Sequence, residues 1–292
     1  MTARRLILPG GPADAIVFDV DGVLVETEAS YIEAVARTVQ WLLVNELGIG
    51  DDGPAVDRAT VRLWKRTGRW NDDWDLSYAL YVWLSAARGS TTTERRRDAG
   101  DAEAAARRSR SIASARWEAI RGVFEEIYNG TPVATARYGV PARVRQERGL
   151  AETEHVLLEA GLLRELALLG MTKVGIVTGR SLPDWDAVRV RMPLPVETAV
   201  ATMEDGRKPD IAPLRKVIEA LRPRAFVAVG DTLADLEMVL RWNASGPDVP
   251  GAAVMLCPAE DEPAYRAAGA TLFIRSLADL PARLRASREG TR

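Results

Sequence analysis

Two aspartates two positions apart, Asp19 and Asp21, stand where the apolar run Ala15-Ile-Val-Phe18 ends, and Gly22 follows at once. A spacing of two lets both side chains share one side of an extended chain, and Gly22 lets the chain turn sharply away from them. Carboxylates beside glycine also make calcium loops. An EF-hand loop, however, needs Gly at its sixth position and Glu at its twelfth; here Gly follows the second Asp directly and the twelfth position is Ser30, which disfavours calcium. Three further segments supply what phosphoryl transfer would require. Thr178-Gly179-Arg180 offers a hydroxyl and a glycine turn whose backbone N–H groups can hold phosphate oxygens. Gly230-Asp231-Thr-Leu-Ala-Asp235 adds two carboxylates, and Gly206-Arg-Lys208-Pro-Asp210 adds a lysine just before an expected helix. Singly, each reads equally well as a turn, a helix cap or a solvated loop. All four in order, each beside an expected strand or helix end, form a pattern that chance does not explain.

The elements that must position these residues are legible as hydrophobic runs. Residues 15–18, 174–177, 225–229, 252–256 and 271–274 are short, apolar and bounded by polar or turn residues, with a weaker run at 198–201; such runs predict buried parallel strands. Helical stretches at 183–191, 211–221, 233–241 and 260–268 alternate with them. The fold class expected is therefore α/β, an open Rossmann-like parallel sheet with helices on both faces. In such sheets ligands bind beyond the carboxyl ends of the strands, which is where Asp19, Thr178 and Asp231 are expected.

Residues 27–150 read differently: 30–47, 56–67, 75–87 and 114–128 carry helical spacing without a convincing strand. An all-α domain is thus expected to be inserted after the first strand, with residues 1–26 and 151–292 forming the sheet domain. Six of the eight tryptophans lie in the insertion, and Trp41, Trp64 and Trp83 read as core. Trp70 and Trp74 instead flank a polar turn, Asn71-Asp-Asp73. Residues 88–112 are polar and arginine-rich, which predicts a mobile insertion or a solvated helix end; the sharper alternative is a basic patch.

Composition narrows the function classes. A net charge of −2 and a pI near 5.7 give no general attraction to nucleic acid or anionic membrane. Lys65, Lys173, Lys208 and Lys216 are the only lysines. One cysteine, Cys257, excludes an internal disulfide and a cysteine-based zinc cluster, and one histidine, His155, excludes a two-histidine metal site. His155 is expected in a helix spanning 153–158. The amino terminus reads as too short for a signal peptide and no stretch suits a bilayer span, so the expectation is a cytoplasmic protein, a monomer or homodimer.

Asp19-Val-Asp-Gly-Val-Leu-Val25, Val177-Thr-Gly-Arg180, the lysine segment and the Asp231–Asp235 segment resemble the four motifs of the haloacid dehalogenase superfamily. The helical insertion resembles its C1-type cap. With the stretch Gly68–Leu80, the resemblance narrows to a subfamily IA group sometimes called histidinol-phosphatase-like. It implies that Asp19 is a nucleophile, Asp21 the general acid/base, Thr178 a phosphate-binding hydroxyl and Lys208 the lysine that neutralises phosphate. It also implies Mg²⁺ held by Asp19, Asp21 (through its backbone carbonyl) and Asp231, with Asp235 positioning the metal or its waters. A carboxylate can approach a phosphate dianion only if charge is offset, and Mg²⁺ favours hard oxygen ligands. Asp21, held protonated by its surroundings, would then protonate the leaving oxygen.

The expected activity is hydrolysis of a small phosphorylated metabolite through an aspartyl-phosphate. Asp21 argues against dehalogenation, since dehalogenases lack that second acid. Phosphonate hydrolysis would need a cap lysine, and Lys65 beside Trp64 and Arg66 reads as a solvated charge. A phosphomutase shares all four motifs, and a non-catalytic phosphate-binding protein is the rival of another class. Candidate substrate contacts are Gly179, Arg180, Arg69, Trp70, Asn71 and Asp72, with helix capping the plain alternative for Asn71 or Asp72.

Overall fold

Strands buried on both faces need helices on both faces, and the chain supplies them in alternation. The computed structural model describes residues 12–50, 52–66, 70, 72–98 and 114–289. In chain order the first elements are β1 (Ala15–Phe18) and β2 (Val25–Glu26). Helices α1 (Glu33–Leu47), α2 (Arg58–Arg66), α3 (Asp73–Ser85), α4 (Thr92–Asp98), α5 (Ser114–Asn129) and α6 (Thr131–Tyr138) follow. Next come β3 (His155–Val156), α7 (Ala160–Leu168), β4 (Lys173–Val177), α8 (Leu182–Arg189), β5 (Ala199–Ala201) and α9 (Ala212–Leu221). The chain closes with β6 (Phe226–Gly230), α10 (Leu233–Ala244), β7 (Gly251–Leu256), α11 (Glu262–Ala267), β8 (Leu272–Ile274) and α12 (Leu280–Glu289).

Six strands form one sheet in the order β5-β4-β1-β6-β7-β8, every neighbouring pair parallel. The fold is an α/β Rossmann-like open sheet. Alternation along β1 shows how the faces are used. Ile16 and Phe18 pack with Leu166 of α7, Trp185 and Val188 of α8, and Leu280 and Leu284 of α12. Ala15 and Val17 pack on the other face with Leu214, Val217 and Ile218 of α9 and Met238, Val239 and Trp242 of α10. Burying each large apolar side chain of this kind stabilises the fold by about 2 kcal/mol.

The chain divides after Glu26 and again after Glu154, and Thr27–Glu154 is a separate compact unit. At its centre α3 is buried on nearly every side, from Leu76 through Tyr81 and at Trp83 and Leu84. It packs with Leu42 and Leu43 of α1 and Ile120, Phe124 and Tyr128 of α5. Trp64 and Trp83 are in this core, while Trp41, Trp70, Trp74 and Trp117 are partly buried against it. Residues 92–98, inside the segment expected as a loop or helix end, form α4. Its start is anchored by Thr92, fully buried, whose N–H and hydroxyl both donate to Asp52 (2.9 and 2.7 Å). Residues 99–112 of that segment lie outside the described residues.

One element differs in kind from its expectation. His155 is not helical: with Val156 it forms β3, antiparallel to β2, pairing Glu26 with His155 and Val25 with Val156. Local sequence suggested a helix, but the pairing to a segment more than a hundred residues earlier decides the backbone. Among the described residues no helix is long and apolar enough to cross a membrane.

Candidate active site

The three central strands end together. Phe18, the last residue of β1, lies level with Ile176 of β4 and Val229 of β6. Asp19 therefore leaves the sheet between the two neighbours that carry Thr178 and Asp231, and its backbone N–H still donates to the Val229 carbonyl (2.9 Å). This is the switch point of the sheet, where β1 has a partner reached in one direction on one side and in the other direction on the other. Asp19, Asp231 and Asp235 each offer a carboxylate oxygen, all within 4.8 Å of one another.

Burial makes that arrangement costly unless charge is offset. The Asp19 carboxyl is pushed up to about 7, first by burial and then by Asp235 and Asp21, with Lys208 opposing. Lys208 Nζ lies 2.7 Å from Asp19 Oδ1, but at an angle poor for hydrogen bonding, so Oδ1 is buried without a hydrogen bond and the pair is held by charge. A small divalent cation fits that donor set: its ligands would be hard oxygens only. The expected Mg²⁺ site is thus chemically suited at Asp19 and Asp231.

Asp235 is already partly committed. Its Oδ2 caps α10, accepting the Thr232 N–H (3.1 Å) and hydroxyl (2.6 Å). Its Oδ1 accepts Lys208 Nζ (2.7 Å). Burial alone would lower the lysine's pKa, but Asp19 and Asp235 outweigh it and hold the proton on. Asp235 thus places the ammonium as much as it serves any metal.

Asp21 pairs with Arg180. Its carboxylate is outside the acidic cluster. Oδ1 instead accepts Arg180 Nε (3.0 Å) and Nη2 (2.6 Å). Guanidinium only donates, so Asp21 Oδ1 is the acceptor of both bonds. Arg180 is 3% exposed and its backbone is held at both ends. Its N–H donates to Thr178 Oγ1 (3.1 Å), and its carbonyl accepts Met203 N–H (3.0 Å). Gly179 between them has open space where a β-carbon would be.

In the helical unit, Asp72 accepts the N–H groups of Trp74 (2.9 Å) and Asp75 (3.1 Å), so it caps α3 as the capping alternative foresaw. The Trp70 ring lies 5.7 Å from that of Trp64. Lys65 pairs with Asp73 at 2.8 Å. Arg69 and Asn71 lie outside the described residues.

Two supports for the site carry no motif. The Tyr265 hydroxyl of α11 donates to the backbone carbonyl of Asp231 (2.7 Å); a side chain reaching a main-chain oxygen leaves no signature at the acceptor. Glu204 accepts the Leu182 N–H (3.0 Å) and the Thr202 hydroxyl (2.6 Å), tying the start of α8 to the loop that leads toward Lys208. Burial raises the Glu204 pKa, but those hydrogen bonds prevail and lower it.

Residues 13–241 match the family model for haloacid dehalogenase-like hydrolases. A curated protein named imidazoleglycerol-phosphate dehydratase, from Phytophthora nicotianae, is 27% identical over 232 residues, 77% of this chain and 40% of that protein. The chain thus spans about 40% of the length of the curated relative it matches. Among solved structures, phosphatase Tt82 from Thermococcus thioreducens is 26% identical with a TM-score of 0.58, covering 81% of this chain and 90% of that one. CbbY from Rhodobacter sphaeroides, solved with phosphate, is similar in fold, with 22% identity, a TM-score of 0.50, and coverage of 94% and 99%.

Proposed function

The chain belongs to the haloacid dehalogenase-like hydrolases, and from that premise we propose that it is a Mg²⁺-dependent phosphatase acting on a small phosphomonoester. The observation that carries this is the cluster of Asp19, Asp231 and Asp235 oxygens within 4.8 Å, with Lys208 against two of them. Counting Asp21 and Arg180, four carboxylates face two cations, a net of two negative charges that one divalent ion would balance. When bound, Mg²⁺ would supply charge neutralisation for the phosphoryl oxygens. The phosphatase name of the Tt82 relative supports the reaction class.

In this reading Asp19 attacks phosphorus, and the bond from phosphorus to the leaving oxygen breaks. Lys208 and the Thr178 hydroxyl hold phosphoryl oxygens. The proton on Asp21 goes to the leaving oxygen; Asp21 then takes a proton from the water that attacks the aspartyl-phosphate, which frees Asp19 and inorganic phosphate. Residues 1–26 and 155–292 would form the catalytic core and 27–154 a helical cap, with Trp70 and its neighbours Arg69 and Asn71 as candidates for reading the leaving group. Asp72 would act there mainly by starting α3.

The test is phosphate release from a panel of sugar phosphates, phosphoglycolate, nucleotides, histidinol phosphate and imidazoleglycerol phosphate, with Mg²⁺ and with chelator. Release that needs Mg²⁺ and favours one compound is expected. Isomerised phosphate ester in place of free phosphate would point to a mutase, and binding without turnover to a non-catalytic protein.

A further inference from the structure

We infer that Arg180 is a positioning residue for Asp21 and not a substrate-binding group. This rests on the hydrolase reading above, in which Asp21 exchanges a proton with the leaving oxygen and with water. Four carboxylates crowd this edge of the sheet, and two cations, the buried Arg180 and the partly buried Lys208, divide them. Lys208 takes Asp19 and Asp235, each at 2.7 Å. Arg180 takes Asp21, with its Nε and Nη2 both on a single oxygen, Oδ1.

The geometry has two consequences. First, the guanidinium keeps the Asp21 carboxylate out of the group formed by Asp19, Asp231 and Asp235. A carboxylate left there without its own cation would be drawn to the same ion or to Lys208, and a group bound in that way could not serve a leaving oxygen. Second, with Oδ1 occupied by two N–H donors, and no described donor reaching Oδ2, Oδ2 is the oxygen left to carry and pass the proton. Two N–H donors from one rigid guanidinium plane hold Oδ1 in place, which a lysine's single rotating ammonium does not.

The fork is itself held rigidly. The Arg180 side chain is 2% exposed, its N–H is on Thr178 Oγ1 and its carbonyl on Met203. Such burial suits a group whose partner is protein.

The leaving group distinguishes this role from the others. An alkyl phosphate needs a proton on its departing oxygen, whereas nitrophenolate departs without one. kcat/KM covers the steps up to departure of the leaving group, so it is the quantity to compare. With Mg²⁺, Arg180→Met is expected to lower kcat/KM for glycerol phosphate, or for the best alkyl phosphate ester of the wild-type protein, by about 10²-fold. For p-nitrophenyl phosphate it is expected to change little, which also shows that the variant is folded. Arg180→Lys should fall between, and Arg180→Met should add little in an Asp21→Asn background because the two residues act as a unit. An equal fall on both substrates, as a phosphate contact or a purely structural role would give, overturns the inference, as does full additivity with Asp21→Asn. If Arg180→Met does not fold, the same ratio measured in Arg180→Lys decides. Wild-type protein that releases no phosphate from either substrate with Mg²⁺ would instead sink the hydrolase reading, and this role with it.

Discussion

Gly22 and Asp231 are in contact so close that a β-carbon on Gly22 would lie 2.1 Å from Asp231 Oδ2. Gly22 also has φ +77°, a conformation that costs an L side chain roughly 1–2 kcal/mol. The turn after the first aspartate pair is therefore glycine for two reasons, and one of them is the placement of a carboxylate from a different strand. Gly22→Ala is expected to displace Asp231 and raise the Mg²⁺ concentration for half-maximal activity at least about tenfold, the range for disturbed metal-site support. Mg²⁺ titrations of activity, read beside thermal melts, check it; an unchanged Mg²⁺ requirement would contradict it.

Removing the nucleophile is expected to be more severe. Asp19→Asn keeps the shape of the side chain but loses the attacking oxygen, and turnover should fall by at least about 10⁴-fold. Since the buried Asp19 carboxyl is disfavoured as an anion, the substitution should leave the fold intact, which circular dichroism would register. Residual activity within tenfold of wild type would remove Asp19 from the reaction.

What could be read in advance follows from how local each determinant is. β1 and β4 match their apolar runs to within a residue because parallel strands are buried on both faces and leave no polar alternation to blur them. Asp19, Asp231 and Asp235 lie at or just inside an element's end and Lys208 in the loop before α9, and the fold brings their side chains together. The contacts that stayed hidden join positions far apart in sequence. Arg180 and Asp21 are 159 residues apart, and nothing near either names the other. His155 was misread as helical since its strand exists only through pairing with Glu26. Asp72 showed the opposite limit: a helix cap and a substrate contact call for the same residue type, and the sequence alone left both open.

Tyr265 offers a test of support from outside the motifs. Its hydroxyl on the Asp231 carbonyl fixes the main chain from which one expected metal ligand projects. Burial, then the Asp231 carboxylate, raise the phenol's pKa well above its ordinary value, so it remains a donor across the working pH range. Tyr265→Phe removes that bond and little else. The expected result is a loss of about 1 kcal/mol in stability and a several-fold to tenfold weaker apparent Mg²⁺ affinity, with KM for substrate at saturating Mg²⁺ unchanged. A change in KM alone would assign Tyr265 to substrate binding.

Glu126 carries a prediction about pH that is independent of the catalytic chemistry. Its buried carboxylate is wrapped by three successive backbone N–H groups: Arg143 and Val144 donate to Oε1 (2.8 and 3.2 Å), and Val144 and Arg145 to Oε2 (both 3.2 Å). The Thr131 hydroxyl adds a bond to Oε2 (2.7 Å), and Arg145 takes up φ +58° in making the turn. Burial raises the Glu126 pKa, but these donors outweigh it and set it below the ordinary 4.5. Because the folded value lies below the unfolded one, the carboxylate's contribution is fully present above about pH 4.5 and is lost as pH falls through the depressed value. Glu126→Gln turns one acceptor oxygen into a donor facing N–H groups, at a cost of about 1–3 kcal/mol. Thermal melts of wild type and Glu126→Gln should therefore differ most at pH 6–7 and converge below the depressed pKa, where protonated glutamate also presents a donor to those N–H groups. A gap that stayed constant down to that acid limit would mean that the charge on Glu126 contributes nothing to holding the 143–145 turn.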